Sequence, residues 1–162
     1  MKRTSVHNGE SESGTQPDVL LCPSAQPQLS GSVIFATVGD SGEQPQVRFL
    51  KTPVRVTENN LVAFASSTVR PTEVFRFAAP CSRGACRNWS GHACRVAQRL
   101  VQITPADVSD LPSCSLRMHC RWFRQEGAAA CSRCSLVVTD DLGFEAELNS
   151  RQEATDPVMR SQ

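Results

Sequence analysis

Seven cysteines stand within 54 residues of this chain, at Cys81, Cys86, Cys94, Cys114, Cys120, Cys131 and Cys134. Thiolates are soft, charged ligands, and four of them around a centre suit tetrahedral zinc or an iron–sulfur cluster. Cys131 and Cys134 form a C-x-x-C pair, a tight turn whose amide N–H groups can point at sulfur. Cys81 and Cys86 make a looser C-x4-C pair with Gly84 between them, Cys94 follows Gly91 and His92, and Cys114 and Cys120 flank SLRMH. Two partitions fit this spacing. In the favoured one, Cys114, Cys120, Cys131 and Cys134 hold one centre, because they close around one short segment at little loop-closure cost, and Cys81, Cys86 and Cys94, with His92 or solvent, form a second or supporting site. In the other, four ligands are drawn from both halves. His119, next to Cys120, is an alternative ligand. Cys22 is set apart as an incidental thiol in a polar N-terminal arm.

Zinc modules usually carry two short knuckles, and only one true C-x-x-C is present, so the uneven spacing favours an iron–sulfur cluster, with zinc as the alternative. Ser135 occupies the place where proline often follows the last ligand of cluster proteins. Arg121, Trp122 and Arg124 are candidate cofactor-binding residues: the indole would shield a cluster from water and the guanidinium groups would offset its negative charge.

These residues need a scaffold, and the pattern supplies an α+β one. A small antiparallel β part precedes a cysteine-rich, helix-and-loop metal-binding part, with disordered termini. Residues 1–31, rich in Ser, Gln, Gly and Pro, are expected to be a disordered arm; 32–140 a single domain with its metal-binding lobe at 81–134; and 141–162 an acidic, disordered tail. Ser32–Val38, the turn-rich GDSGEQPQ and the run from Val47 read as a hairpin, with Pro53 marking an edge or a break near Thr52. Thr57 caps a short helix over Glu58–Ala65. Glu73–Ala79 reads as a strand that delivers the chain to Cys81. Helices are expected over Ala93–Ile103, with Val96, Leu100 and Ile103 on one face, and over Leu116–Gln125, with Gly127 as its cap. LVVT, Leu136–Thr139, reads as a last strand.

Charge is segregated. Cys81–Cys134 carries eight Arg against three acids, and Asp140–Gln162 six acids against two Arg. The first 17 residues lack an apolar core segment and no run approaches the ~18 apolar residues of a membrane span. A cytoplasmic location follows as the expectation, and there thiols favour metal over disulfides. No Walker loop, dinucleotide fingerprint, H-E-x-x-H or G-x-S-x-G is present, so an enzyme is disfavoured.

The segment C-R-W-x-x-Q-E-G-x-x-A-C-x-x-C, carried here by Cys120, Arg121, Trp122, Gln125, Glu126, Gly127, Ala130, Cys131 and Cys134 and followed by Val137, Val138, Thr139 and Asp140, resembles that of a family of small bacterial cysteine-rich proteins, some labelled nitrogen fixation proteins. Phe75–Cys86 and Arg48–Thr57 resemble it too. The leading expectation is a cytosolic metal-binding accessory protein with an iron–sulfur cluster, acting in electron transfer, sensing or maturation of a protein partner. A zinc-stabilised binding module contacting nucleic acid or an acidic protein is the alternative; with two Lys in the chain and an acidic tail, nucleic acid is the weaker partner.

Overall fold

A computed structural model describes residues 19–40, 45–137 and 139. The expected acidic tail, residues 1–18 of the expected arm and Val138 lie outside them. The architecture is α+β: a four-stranded antiparallel sheet followed by short helices.

Strand β1, Leu21–Cys22, falls inside the stretch expected to be a disordered arm, so the chain enters the fold before residue 32. Two residues of strand need a strong neighbour, and β1 finds one in the central strand β4: Leu21 pairs with Pro80 and Cys22 with Ala79. Strands β2 (Val33–Asp40) and β3 (Pro45–Arg55) form the expected hairpin. Its register slips where Pro53 removes a donor: Ile34 pairs with Val54 but Ala36 with Phe49, leaving Leu50–Pro53 looped out opposite Phe35 on an edge strand. The Ser115 hydroxyl donates to the freed Leu50 carbonyl at 3.0 Å.

Helix α1, Glu58–Ala65, starts at Thr57 as the sequence predicts. The Asn60 amide N–H donates to Thr57 Oγ1 at 3.3 Å, and the Thr57 N–H donates to Asn60 Oδ1 at 2.9 Å. Phe64 of α1 packs against Phe75 and Phe77, ring centroids 5.9 Å away in each case. The strand expected over Glu73–Ala79 begins later. Pro71 at the first helical position makes a helical turn, α2 (Pro71–Val74), and β4 spans Phe75–Pro80. Arg76 to Ala79 are all buried, so β4 is covered on both faces and the alternation read from the sequence does not mark a solvent face.

Beyond the sheet, α3 (Arg95–Ile103) begins after an extended Cys94 and buries Ala97 and Leu100. Ile103, expected on the same buried face, is exposed. The helix expected over Leu116–Gln125 is broken at Cys120, whose backbone is extended (φ −79°, ψ 126°). A 3-10 turn, Arg117–His119, precedes it and α4, Arg121–Glu126, follows. Gly127 ends α4 at φ 60°, a conformation that strains any side chain, and starts α5, Ala128–Cys131. Leu136 closes a 3-10 turn, Cys134–Leu136, where the start of a strand was expected.

Two cores result. Phe35, Ala36, Ala78 and Leu116 join one face of the sheet to the cysteine-rich part, and Cys94, Ala97, Leu100, Cys120, Trp122 and Ala130 form the interior of that part. No helix among the described residues is long and apolar enough to cross a membrane.

Candidate metal centre

The break at Cys120 is what brings the downstream thiols together. An unbroken helix would aim residues 117–123 around one axis. The extended residue instead turns Cys120 inward beside Leu21, with which it forms a parallel bridge. Gly127 then reverses the chain so that α5 returns Cys131 and Cys134 to the same place. Cys114, Cys120, Cys131 and Cys134 line one apolar cavity, closed by Pro23, Phe35, Phe49 and Leu116. The cavity is small, about 20 Å³.

Burial raises Cys120, Cys131 and Cys134 there. Cys120 is pushed up to about 11 by desolvation, against the opposing pull of the Phe123 and Trp122 amides, with the Cys131 and Cys114 thiols adding to the rise. Cys134 is raised further by desolvation and by Cys120, Cys114 and Cys131. Cys131 is raised by burial and partly relieved by the Arg117 guanidinium, which hydrogen-bonds it.

Arg117, a residue the sequence reading did not single out, is anchored by donating to the Pro112 carbonyl and lies 6.0 Å from the centroid of the Phe123 ring. Arg76, also missed, is 7% exposed and donates to the Thr72 carbonyl at 2.6 Å. Burial lowers its pKa, and the nearby Cys134 thiol acts in the opposite direction. A buried arginine in the middle of an aromatic strand was the available signal, because a cation there requires an anionic counterpart.

The residues expected to bind the cofactor separate. Trp122 is 1% exposed in the core shared by Cys94 and Cys120. Arg121 lies over the Trp89 ring, 5.1 Å from its centroid, and Trp89 bridges to Cys94, so this cation lies on the upstream side. Arg124 is exposed on α4. His92 and His119 are both exposed.

Upstream, a 3-10 turn over Arg83–Ala85 joins Cys81 to Cys86, and the Trp89 N–H donates to the Cys86 carbonyl at 2.9 Å. Gln125 holds Cys94 from the other side: the Cys94 N–H donates to Gln125 Oε1 at 2.8 Å, and Gln125 Nε2 donates to the Cys94 carbonyl at 3.0 Å. Gln125→Ala strands both backbone groups, and we expect a loss of about 1–3 kcal/mol in denaturant unfolding. An unchanged midpoint would show that the clamp is dispensable.

All eight cysteines are free thiols. Among the described residues, no three His, Cys, Asp or Glu side chains converge tightly enough to chelate one metal ion. Donors without acceptors stand nearby instead. Arg76 Nε, Arg117 Nε, Arg121 Nε and Trp122 Nε1 are buried and unpartnered. Thiolate sulfur is an acceptor that such donors could use. Against protein-family models, curated proteins and solved structures, the chain finds no match.

The raised thiols set a pH dependence for the metal-free protein. Their folded pKa values exceed the ordinary 9.0, so above that pH the unfolded chain gives up protons that the folded chain keeps. Stability is fully present below about pH 9 and declines above it, by about 1.4 kcal/mol per pH unit for each thiol involved. Thermal unfolding of metal-free protein between pH 7 and 11 checks this; a flat profile would refute the burial of these thiols.

Proposed function

We propose that the chain is a cytosolic metal-binding accessory protein that holds an iron–sulfur cluster at Cys114, Cys120, Cys131 and Cys134, acting with a protein partner in electron transfer, sensing or maturation. The observation that carries the reading is that these four thiols line one apolar cavity, with Arg76 and Arg117 beside it. A thiolate-bound cluster is anionic, and the buried Arg76 and half-buried Arg117, each with an unpartnered Nε–H donor, would offset that charge. When bound, the cluster supplies reversible one-electron chemistry. The protein's own part is to exclude water through Phe35, Phe49, Leu116 and Pro23 and to hold the sulfur ligands in place.

The sequence resemblance to bacterial cysteine-rich proteins is compatible with such a role and adds no mechanism. Anaerobic purification with metal and sulfide analysis and an absorption spectrum tests the proposal. Iron and acid-labile sulfide in a brown protein support it. A colourless protein with stoichiometric zinc, or one with no metal, overturns it.

A further inference from the structure

Strand β1 does more than close the sheet edge. Cys22 lies opposite Ala79, and the Cys81 N–H donates to the Leu20 carbonyl at 2.8 Å, which continues the same antiparallel register by one pair. Residues opposite one another share a face, and successive residues alternate. Leu20, Cys22 and Cys81 therefore face one way, and Leu21 faces the other. Cys22 and Cys81 are diagonal same-face neighbours, with Cβ atoms roughly 7 Å apart in such an arrangement. Leu21 bridges to Cys120, and Pro23 lines the cavity of the downstream thiols.

We infer that Cys22 joins Cys81, Cys86 and Cys94 as a second four-thiolate metal site, set against the opposite face of β1 from the first. This second site takes the same class of cofactor as the downstream one and rests on that reading for its metal, but not for its ligands. Cys86 is joined to Cys81 by the single 3-10 turn over Arg83–Ala85, and Trp89, whose N–H donates to the Cys86 carbonyl, bridges to Cys94, so the upstream three lie on one short stretch that starts beside Cys22. Each of the two quartets has a cation on its side: the half-buried Arg121, stacked on Trp89 next to Cys94 in the fold, for the upstream set, and Arg117 with the buried Arg76 for the downstream set. Each also places one cysteine, Cys94 or Cys120, immediately before a helix and in the core around Trp122. Histidine and solvent are not needed to complete the upstream set, and the exposed His92 is released from that role. Two cluster-sized groups on either side of one strand, sharing a tryptophan-centred core, are close enough for their unpaired spins to interact.

The test compares full-length wild type with Cys22→Ser, Cys131→Ser and the double variant, each reconstituted with iron and sulfide. Metal per chain is expected to fall about twofold in either single variant and to near zero in the double one. The electron paramagnetic resonance spectrum of reduced wild type should show spin–spin broadening that both single variants lose. Full metal and an unaltered spectrum in Cys22→Ser would overturn the inference, as would loss of all metal from that variant with its circular dichroism intact. Should Cys22→Ser misfold, Cys86→Ser, in a more accessible turn, must give the same halving, and full retention there would equally overturn it. Two zinc ions per wild-type chain, falling to one in Cys22→Ser, would uphold the second site while refuting the iron–sulfur reading; a wild type without metal refutes both.

Discussion

Cys120→Ser protein, reconstituted anaerobically with iron and sulfide, is expected to retain metal at the downstream quartet at least tenfold less well than wild type. The size of the effect follows from three features of that position. Cys120 is 8% exposed and is held in an extended conformation by its bridge to Leu21, so no neighbouring thiol can slide into its place. A serine hydroxyl nearly matches the thiol in shape, which preserves the metal-free fold, but it is a hard donor that ionises only with great difficulty. Even residues that merely support a metal ligand are worth about 10–100-fold in affinity, and loss of a ligand should exceed that. Arg117→Met probes the supporting effect separately: it keeps much of the apolar stem, removes the hydrogen bond to Cys131, and should weaken retention by about tenfold. Metal retention by Cys120→Ser equal to wild type would exclude the downstream quartet as the site.

Trp122→Ala should be the most destabilising single change in the described fold. The indole is 1% exposed and belongs, from α4, to the core it shares with Ala97 and Leu100 of α3, Ala130 of α5, Cys94 and Cys120. Removing an aromatic side chain from such a core costs about 3–5 kcal/mol, against a total of about 5–15 kcal/mol for an ordinary domain. We expect the metal-free variant to be largely unfolded at 37 °C, and the reconstituted variant to be partly rescued because bound metal stabilises only the folded chain. Trp122→Phe separates the two roles of the residue. It keeps most of the packing and removes the unpartnered Nε1–H, so it should fold well, and metal-free stability should fall far less than in Trp122→Ala. Equal stability of Trp122→Ala and wild type in urea would show that the core does not depend on this side chain.

Much of the sheet was legible because its signals are local. The β2–β3 hairpin follows from alternating residues around a turn-rich loop, the interruption of β3 from Pro53, and the start of α1 from Thr57. The cysteine-rich part was less legible. The sequence shows a 3.6-residue pattern across Leu116–Gln125, but the break at Cys120 is imposed by the bridge to Leu21, roughly a hundred residues away in sequence, and local propensity contains no trace of that partner. Arg76 and Arg117 escaped notice for the same reason: one lies in a strand and the other in a turn, and only packing places them beside Cys134 and Cys131. Arg121 and Arg124, three residues apart on one short helix, look equivalent in the sequence, yet one stacks on Trp89 and the other is exposed.

By itself the sequence determined that this chain carries many thiols, that they cluster, and that an α+β scaffold of short elements holds them. Thiol chemistry and residue spacing are written in the covalent chain, and so are turns and caps whose partners lie within a few residues. Tertiary structure decided which thiols lie beside one another. Cys22 is separated from Cys81 by 58 residues, and no spacing rule can join them; an antiparallel register does so by placing both on one face of β1 and β4, while the alternation of side chains sends Leu21 and Pro23 to the other quartet. Long-range strand pairing is set by the burial of whole faces, not by any local motif, and that is why the neighbourhood of Cys22 and Cys81 is visible only in the folded chain.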